Sequence, residues 1–388
     1  MTESTRNSPL HPVHEAAGAS FTDFGGWNMP LKYGSELAEH KAVRESAGLF
    51  DLSHMGEVRV SGPESGAMLD HALSSSISVL KPGRAKYALC LTDAGTVLDD
   101  LIVYRTDSGA EGEDQEFLVV PNAGNISAVV TALTQRASGW EVEVHDESST
   151  TALVAVQGPQ SEAILARLMP ASAQELAELK YYGHVTLTVP TAAGDVQAVV
   201  ARTGYTGEDG FELFLPASST AEAGDRGSAV WSAVVKAAEE AGIALTPCGL
   251  ASRDSLRLEA GMPLYGNELD TAHQPHASGV SFAVPASKEG DFVGKAALVG
   301  KDEVEEVLVG LKGEGRRAAR HGYSVLDADG AVIGEVTSGA PSPTLGHPVA
   351  MARIRREHAA EGTSVQVDLR GRGEPFTVVP LPFYTRAR

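Results

Sequence analysis

Cysteine is nearly absent from this 388-residue chain: Cys90 and Cys248 stand far apart, with no CxxC or histidine-rich spacing around either. Such a pair builds neither a disulfide framework nor a zinc site, and both residues read as small apolar side chains. No run approaches the roughly 18 uninterrupted apolar residues of a membrane helix, and the opening MTESTRNSPL lacks a basic-then-apolar leader pattern, so a cytoplasmic location is expected. Positive charge is scarce as well. Lys and Arg total 31 against 51 Asp and Glu, a net charge of −20. That field repels polynucleotides and anionic lipid surfaces, so neither nucleic acid nor a membrane is expected as a partner. Also missing are a dinucleotide-binding GxGxxG, a phosphate loop, metal-ligand spacing and any internal repeat of fixed period.

What remains is a chain with 43% apolar residues, enough for two or three cores. Residues 1–8 are polar and are expected to form a mobile tail. From 9 to 290 short strands and helices alternate, giving an α+β class. The stretch 229–241 places Val230, Trp231, Val234, Val235 and Ala238 on one helical stripe, with Gly242 as a stop. The runs 151–156, 197–201 and 211–215 read as strands. Beyond 294 the texture changes to short β-rich runs at 306–311, 331–333 and 364–369, separated by Gly, Pro and Ser turns, as in a small antiparallel barrel. The segment 285–302 is the expected boundary, with a C-terminal domain over 295–388.

Three segments carry chemistry. In GTVLDDLIVYR (95–105), strand alternation puts Val97, Asp99, Leu101 and Val103 on one face and Leu98, Asp100, Ile102 and Tyr104 on the other. Two adjacent acids in an apolar strand cannot both follow an inside/outside pattern, so at least one carboxylate shares a face with large apolar side chains, and burial tunes a carboxyl group for proton handling; a strand-opening turn with solvated acids has the same pattern. In RTGYTGEDGFEL (202–213), Gly204, Gly207 and Gly210 give a tight loop where backbone can approach a ligand. An inward Glu212 there can accept from the paired N–H groups that a pterin edge presents, although an ordinary hairpin loop fits the glycines too. In PCGLASRDSLRLEAG (247–261), Arg253 and Arg257 lie four apart on one helical face, a repulsion that an anion between them relieves; the alternative is two arginines paired with Asp254 or Glu259.

Together with DFGGWNMP (23–30), LFDLSHMG (49–56), QGP (157–159) and TSGAPSPTLG (337–346), these segments resemble the T-protein family of the glycine cleavage system, in that family's order along nearly the whole chain. The resemblance implies a three-lobed cloverleaf, with two lobes in 9–290 and the β-barrel in 295–388, around a site for tetrahydrofolate. It implies transfer of a methylene carbon from the aminomethyl-lipoyl arm of H-protein to tetrahydrofolate, with release of ammonia and no metal. Position by position, Asp100 matches the catalytic acid beside the folate nitrogen, Asn122 and Glu212 match pterin-binding residues, and Tyr87, Tyr205 and Arg253 match further folate contacts. Met55 matches a channel-lining residue, and Arg386 is placed to reach the folate glutamate tail. Lys32, Lys81, Arg84 and Lys86 are candidates for a local basic patch facing acidic H-protein. Other folate-dependent demethylases of this fold and a folate-binding iron–sulfur assembly factor are the alternatives. The flavin-bearing oxidases of the fold need a domain for which this chain lacks a GxGxxG, and the assembly factors carry a Lys-Gly-Cys-Tyr signature where this chain has 247-PCGL-250.

Overall fold

The computed structural model divides into two compact units, Met1–Ala72 with Ser76–Tyr87 and Leu101–Arg253, and Leu73–Ser75 with Ala88–Asp100 and Asp254–Arg388. Within them residues 5–107, 109–110, 114–300 and 303–387 are described. The first unit is built on a six-stranded sheet in the order His184–Thr191, Gly194–Ala201, Gly210–Pro216, Thr151–Gln157, Ala47–Asp51, Leu245–Pro247. Its central strand, Thr151–Gln157, is buried at every position. That is why the sequence there is a continuous TALVAV run without alternation. Val154, Val156, Phe211, Leu213 and Leu215 meet Leu165, Val230, Trp231 and Val234 in one core, covered by the helices Ser161–Leu168 and Thr220–Ala241.

The long helix extends the expected one by nine residues at its start. Ser219 caps it by accepting from Glu222 N at 3.3 Å, and Gly242 ends it at φ 68°. Gly227, a residue of low helix propensity, lies where a Cβ would come within 2.6 Å of Leu10 Cδ1 and 3.0 Å of Ala152 Cβ. Close packing of helix on sheet thus overrides its low propensity.

The same unit holds a three-stranded sheet, Arg6–Asn7, Trp27–Lys32, Ser20–Phe24. Here the expected mobile tail gives way to order. Residues 1–4 lie outside the described part, but Arg6 and Asn7 pair in parallel with Trp27 and Asn28, and Ser8 is buried with its hydroxyl donating to Asp51. Asp51 also accepts from Ser53 N at 2.9 Å and pairs with His14 Nε2 at 2.8 Å, and His14 Nδ1 meets the Tyr33 hydroxyl at 2.7 Å. A polar stretch is ordered by one buried carboxylate that no periodicity reveals. A third sheet runs Ala85–Leu91, Val97–Arg105, Gln115–Val120, Val58–Gly62, Glu143–Asp146.

The second unit contains a closed six-stranded barrel, Glu306–Gly313, Pro348–Arg355, Val332–Pro341, Ser324–Leu326, Ser364–Asp368, Gly373–Val379. Antiparallel pairing throughout accords with the sequence reading. Two strands exceed that reading. Val332–Pro341 runs ten residues through a bulge between Val336 and Ser338, across a stretch whose Ser, Gly and Pro content suggests a turn. Pro348–Arg355 is buried at every position but the last, so it shows no alternation. Residues 254–290, assigned from sequence to the first domain, count with the barrel for a clear reason. Arg257, 1% exposed, bonds Glu268 at 3.0 Å and Ser338 at 2.8 Å, and Arg353 donates to the Glu268 carbonyl at 2.8 Å.

Candidate active site

A buried polar cluster sits in the first unit on an interior strand of the six-stranded sheet. Glu212 lies on the strand Gly210–Pro216 and faces Ala155 on one neighbouring strand and Ala201 on the other. Small partners on both sides leave room around its carboxylate. Thr203, just past the end of Gly194–Ala201, donates its hydroxyl to Glu212, and Tyr104 stands 3.3 Å from Thr203 Oγ1. Burial raises the Glu212 pKa, opposed by the Thr203 hydrogen bond, by the Arg253 guanidinium and by Tyr104. Burial and the nearby Glu212 push the Tyr104 hydroxyl well above its ordinary value, so it stays protonated.

Arg253 reaches this cluster from the helix Leu250–Glu259. The start of that helix is held by Glu39, whose carboxylate accepts from Gly249 N at 3.0 Å, Tyr33 N at 2.8 Å and Gly34 N at 3.2 Å. Gly249 is required there, because a Cβ would lie 2.3 Å from the Leu31 carbonyl oxygen. The Arg253 guanidinium lies over the Tyr205 ring at 4.7 Å. Burial lowers its pKa, opposed by Glu212 and Tyr205. Among the described residues nothing accepts a hydrogen bond from it. His54, 1% exposed in the turn after Ala47–Asp51, is held neutral at a pKa of about 3 by burial and by Arg253 against the opposing pull of Asp51.

The glycine-rich loop owes its shape to a side chain. A Cβ on Gly204 would fall 2.0 Å from Gln157 Oε1, and one on Gly210 would fall 2.4 Å from its Nε2. Gln157 is buried, donates to the Thr203 carbonyl at 3.1 Å and accepts from Thr206 at 3.0 Å. Two of the three glycines therefore let the loop close over Gln157 rather than over a ligand, and only Gly207, at φ 78°, serves a turn. Arg202 ties the loop to Asp209 and Glu162, and Arg44 ties it to Glu208 at 2.9 Å. The arginine pair of the following helix also behaves differently from the expected shared anion site. Arg257 turns into its own buried network with Glu268, and it takes Asp254 as a partner at 2.7 Å. Arg253 alone faces the cluster.

Tyr205, Glu212 and Arg253 thus come together, while Tyr104, Thr203 and His54 join them unpredicted. Alternation had placed Tyr104 on the Asp100 face, and Thr203 sits inside the quoted loop motif, so the signal for both was present. Met55 follows His54 directly, and Gly56 N donates to the Pro121 carbonyl at 3.0 Å, which fixes the chain beside Asn122. Tyr87 is half-buried on Ala85–Leu91. Asp100 and Arg386 belong to the second unit. Asp100 is half-buried, whereas its neighbour Asp99 is fully buried with Val97 and Leu101. Burial by itself therefore singles out Asp99, and Asp100 presents the face that is partly open. Arg386 is half-buried near the chain end. Among the described residues no His, Cys, Asp or Glu group is arranged to hold a metal ion, and no helix is long and apolar enough to cross a membrane.

Comparison with known proteins places these features. The family described as "GCVT N-terminal domain" matches residues 10–288, and "Glycine cleavage T-protein C-terminal barrel domain" matches 307–385. The chain is 52% identical to an "Aminomethyltransferase" of Streptomyces coelicolor over 99% of this chain and 98% of that protein. It is 51% identical to a protein of the same description from Cutibacterium acnes, over 98% and 99% respectively. The crystal structure of glycine cleavage system aminomethyltransferase T from Bartonella henselae superposes with a TM-score of 0.85 at 35% identity, covering 98% of each chain. With both regions matched and such identity along its length, the chain belongs to the glycine cleavage T-protein family.

Proposed function

We propose that this member of the family transfers the methylene carbon of aminomethyl-lipoyl H-protein to tetrahydrofolate in the cytoplasm, releasing ammonia and leaving 5,10-methylenetetrahydrofolate and dihydrolipoyl H-protein. The observation that carries this reading is the Glu212, Arg253 and Tyr205 cluster, which unites three positions that the family resemblance assigns to folate. A buried carboxylate beside a guanidinium with unused donors complements a pterin edge, where an amino group and a ring N–H stand next to a carbonyl. Glu212 accepts from the N–H pair and Arg253 supplies donors to the carbonyl. Tyr205, with its ring under the guanidinium, fixes the plane of that donor. Met55, Tyr87 and Asn122 complete the folate contacts, and Arg386 serves the anionic tail.

Two bonds of the transferred carbon break, to nitrogen and to sulfur, and two form, to the two folate nitrogens. The protons those nitrogens lose go to the departing ammonia and thiol, so the reaction needs a proton-handling group beside the folate. Asp100 takes that role. Tetrahydrofolate titration by fluorescence, followed by turnover with aminomethylated H-protein, tests the reading. Tight binding with formation of 5,10-methylenetetrahydrofolate is expected, and binding without any turnover of the aminomethylated partner would refute it.

A further inference from the structure

His54 has no part in the reading above, yet its surroundings are those of a ligand contact. The residue is 1% exposed, its ring meets Phe24 edge-on at 5.5 Å, and its Nδ1 is buried without a hydrogen-bond partner among the described residues. A buried polar atom left unpaired is uncommon and destabilising, and it points to a partner that arrives from outside the protein. The neighbourhood says where that partner would lie. The chain just after His54 is held beside Asn122 by Gly56 N donating to the Pro121 carbonyl at 3.0 Å, and the ring feels the charge of the Arg253 guanidinium, which itself lies over Tyr205 and near Glu212. Burial, and after it the Arg253 charge, disfavours the imidazolium form, so the ring keeps one lone pair.

We propose that His54 is a further binding residue of this site, its unpaired Nδ1 accepting a hydrogen bond from a ring N–H of the bound reduced pterin. This rests on the reading of the cluster as the tetrahydrofolate site. A tetrahydropterin carries more N–H donors than the pair that Glu212 can take, and the remaining ring N–H groups need an acceptor in a buried site. A neutral imidazole is a suitable acceptor, since it can bind a donor without adding a second carboxylate next to Glu212. Burial, aided by the guanidinium charge, keeps it in that state.

The test compares tetrahydrofolate binding to the full wild-type chain with binding to His54→Leu, which has no acceptor, and to His54→Asn, whose amide oxygen can take the place of Nδ1. Glu212→Gln serves as the control for the site itself. The dissociation constant is expected to rise about tenfold for His54→Leu, the scale of one lost hydrogen bond, and to stay within about threefold of wild type for His54→Asn. In wild-type chain labelled with 15N-histidine, the Nδ1 resonance of His54 is expected to move on saturation with tetrahydrofolate, a response that a packing role alone would not produce. Should His54→Leu fail to fold, the resonance decides. A His54→Leu affinity within twofold of wild type, or an Nδ1 resonance unmoved at saturation, overturns the proposal while leaving the site reading intact if Glu212→Gln still weakens binding. If the wild-type chain does not bind tetrahydrofolate, the site reading falls and the His54 proposal falls with it.

Discussion

Glu57 should make the first unit lose stability as pH rises, and replacing it with glutamine should remove that loss. The side chain is fully buried and neither carboxyl oxygen has a hydrogen-bond partner among the described residues. Burial, reinforced by the nearby Asp146 and Glu147 charges, holds its pKa well above the ordinary carboxyl value of 4.5. The native state therefore keeps a proton that the unfolded chain releases. The stability this group contributes is fully present below the unfolded pKa and is lost as pH rises toward the folded one. The slope in that interval is about −1.4 kcal/mol per pH unit. Glu57→Gln keeps the shape and cannot ionise, so it should match wild type at the acidic end and become progressively more stable than wild type above it. Glu57→Leu also removes the unpaired polar atoms, a further gain of about 1–3 kcal/mol at every pH if the cavity accepts the branch. All three tryptophans, Trp27, Trp140 and Trp231, lie in the first unit, so urea unfolding followed by tryptophan fluorescence reports the transition concerned. Parallel pH profiles for wild type and Glu57→Gln would show that Glu57 is ionised and satisfied in the native state, and the argument would fail.

Asp100→Asn should retain tetrahydrofolate binding and lose about a hundredfold or more in turnover; near-normal turnover, with Asp99→Asn inactive, would move the role to the fully buried neighbour. Glu212→Gln should weaken tetrahydrofolate binding by roughly 1.5–3 kcal/mol. Because burial raises the Glu212 pKa and ligand N–H groups favour its charged form, wild-type affinity should fall on acidification and the variant should lack that dependence, as calorimetry across pH will read. Asp51→Asn should destabilise the first unit by about 3 kcal/mol at neutral pH, the scale for breaking a buried pair. The His14 and Ser8 contacts hold the Asp51 pKa below 3.8, so its contribution is present above that value and lost as pH falls through the folded pKa; urea midpoints for wild type and variant should converge in acid. Changing Lys81, Arg84 or Lys86 to Glu should raise the apparent Michaelis constant for H-protein and spare that for tetrahydrofolate. Lys81 is exposed, whereas Arg84 and Lys86 also bond the Tyr181 and Ser76 carbonyls, so Lys81→Glu is the cleanest of the three.

Much of this protein is decided locally. The ordered motifs along the chain and the strand runs at 151–156 and 211–215 are properties of neighbouring residues, and so is the β-rich texture beyond 294, because period and turn chemistry act over a few positions. The family resemblance and the α+β class with its C-terminal barrel follow from them. Alternation likewise separated Asp99 from Asp100 correctly. What alternation cannot say is which of the two faces is covered, since that depends on elements far away in sequence; the tertiary structure buries Asp99 and leaves Asp100 half-open. The same limit hid the strand Arg6–Asn7, which Trp27–Lys32 and the Ser8 to Asp51 bond bring to order. It hid the purpose of Gly204 and Gly210, which exists only once Gln157 packs between them. Arg253 and Arg257 share a helix and a spacing, but one turns to Tyr205 and Glu212 and the other to Glu268 and Ser338. Their different roles arise from the partners that long-range packing sets against each side of one helix turn, and burial decides which charges must be paired.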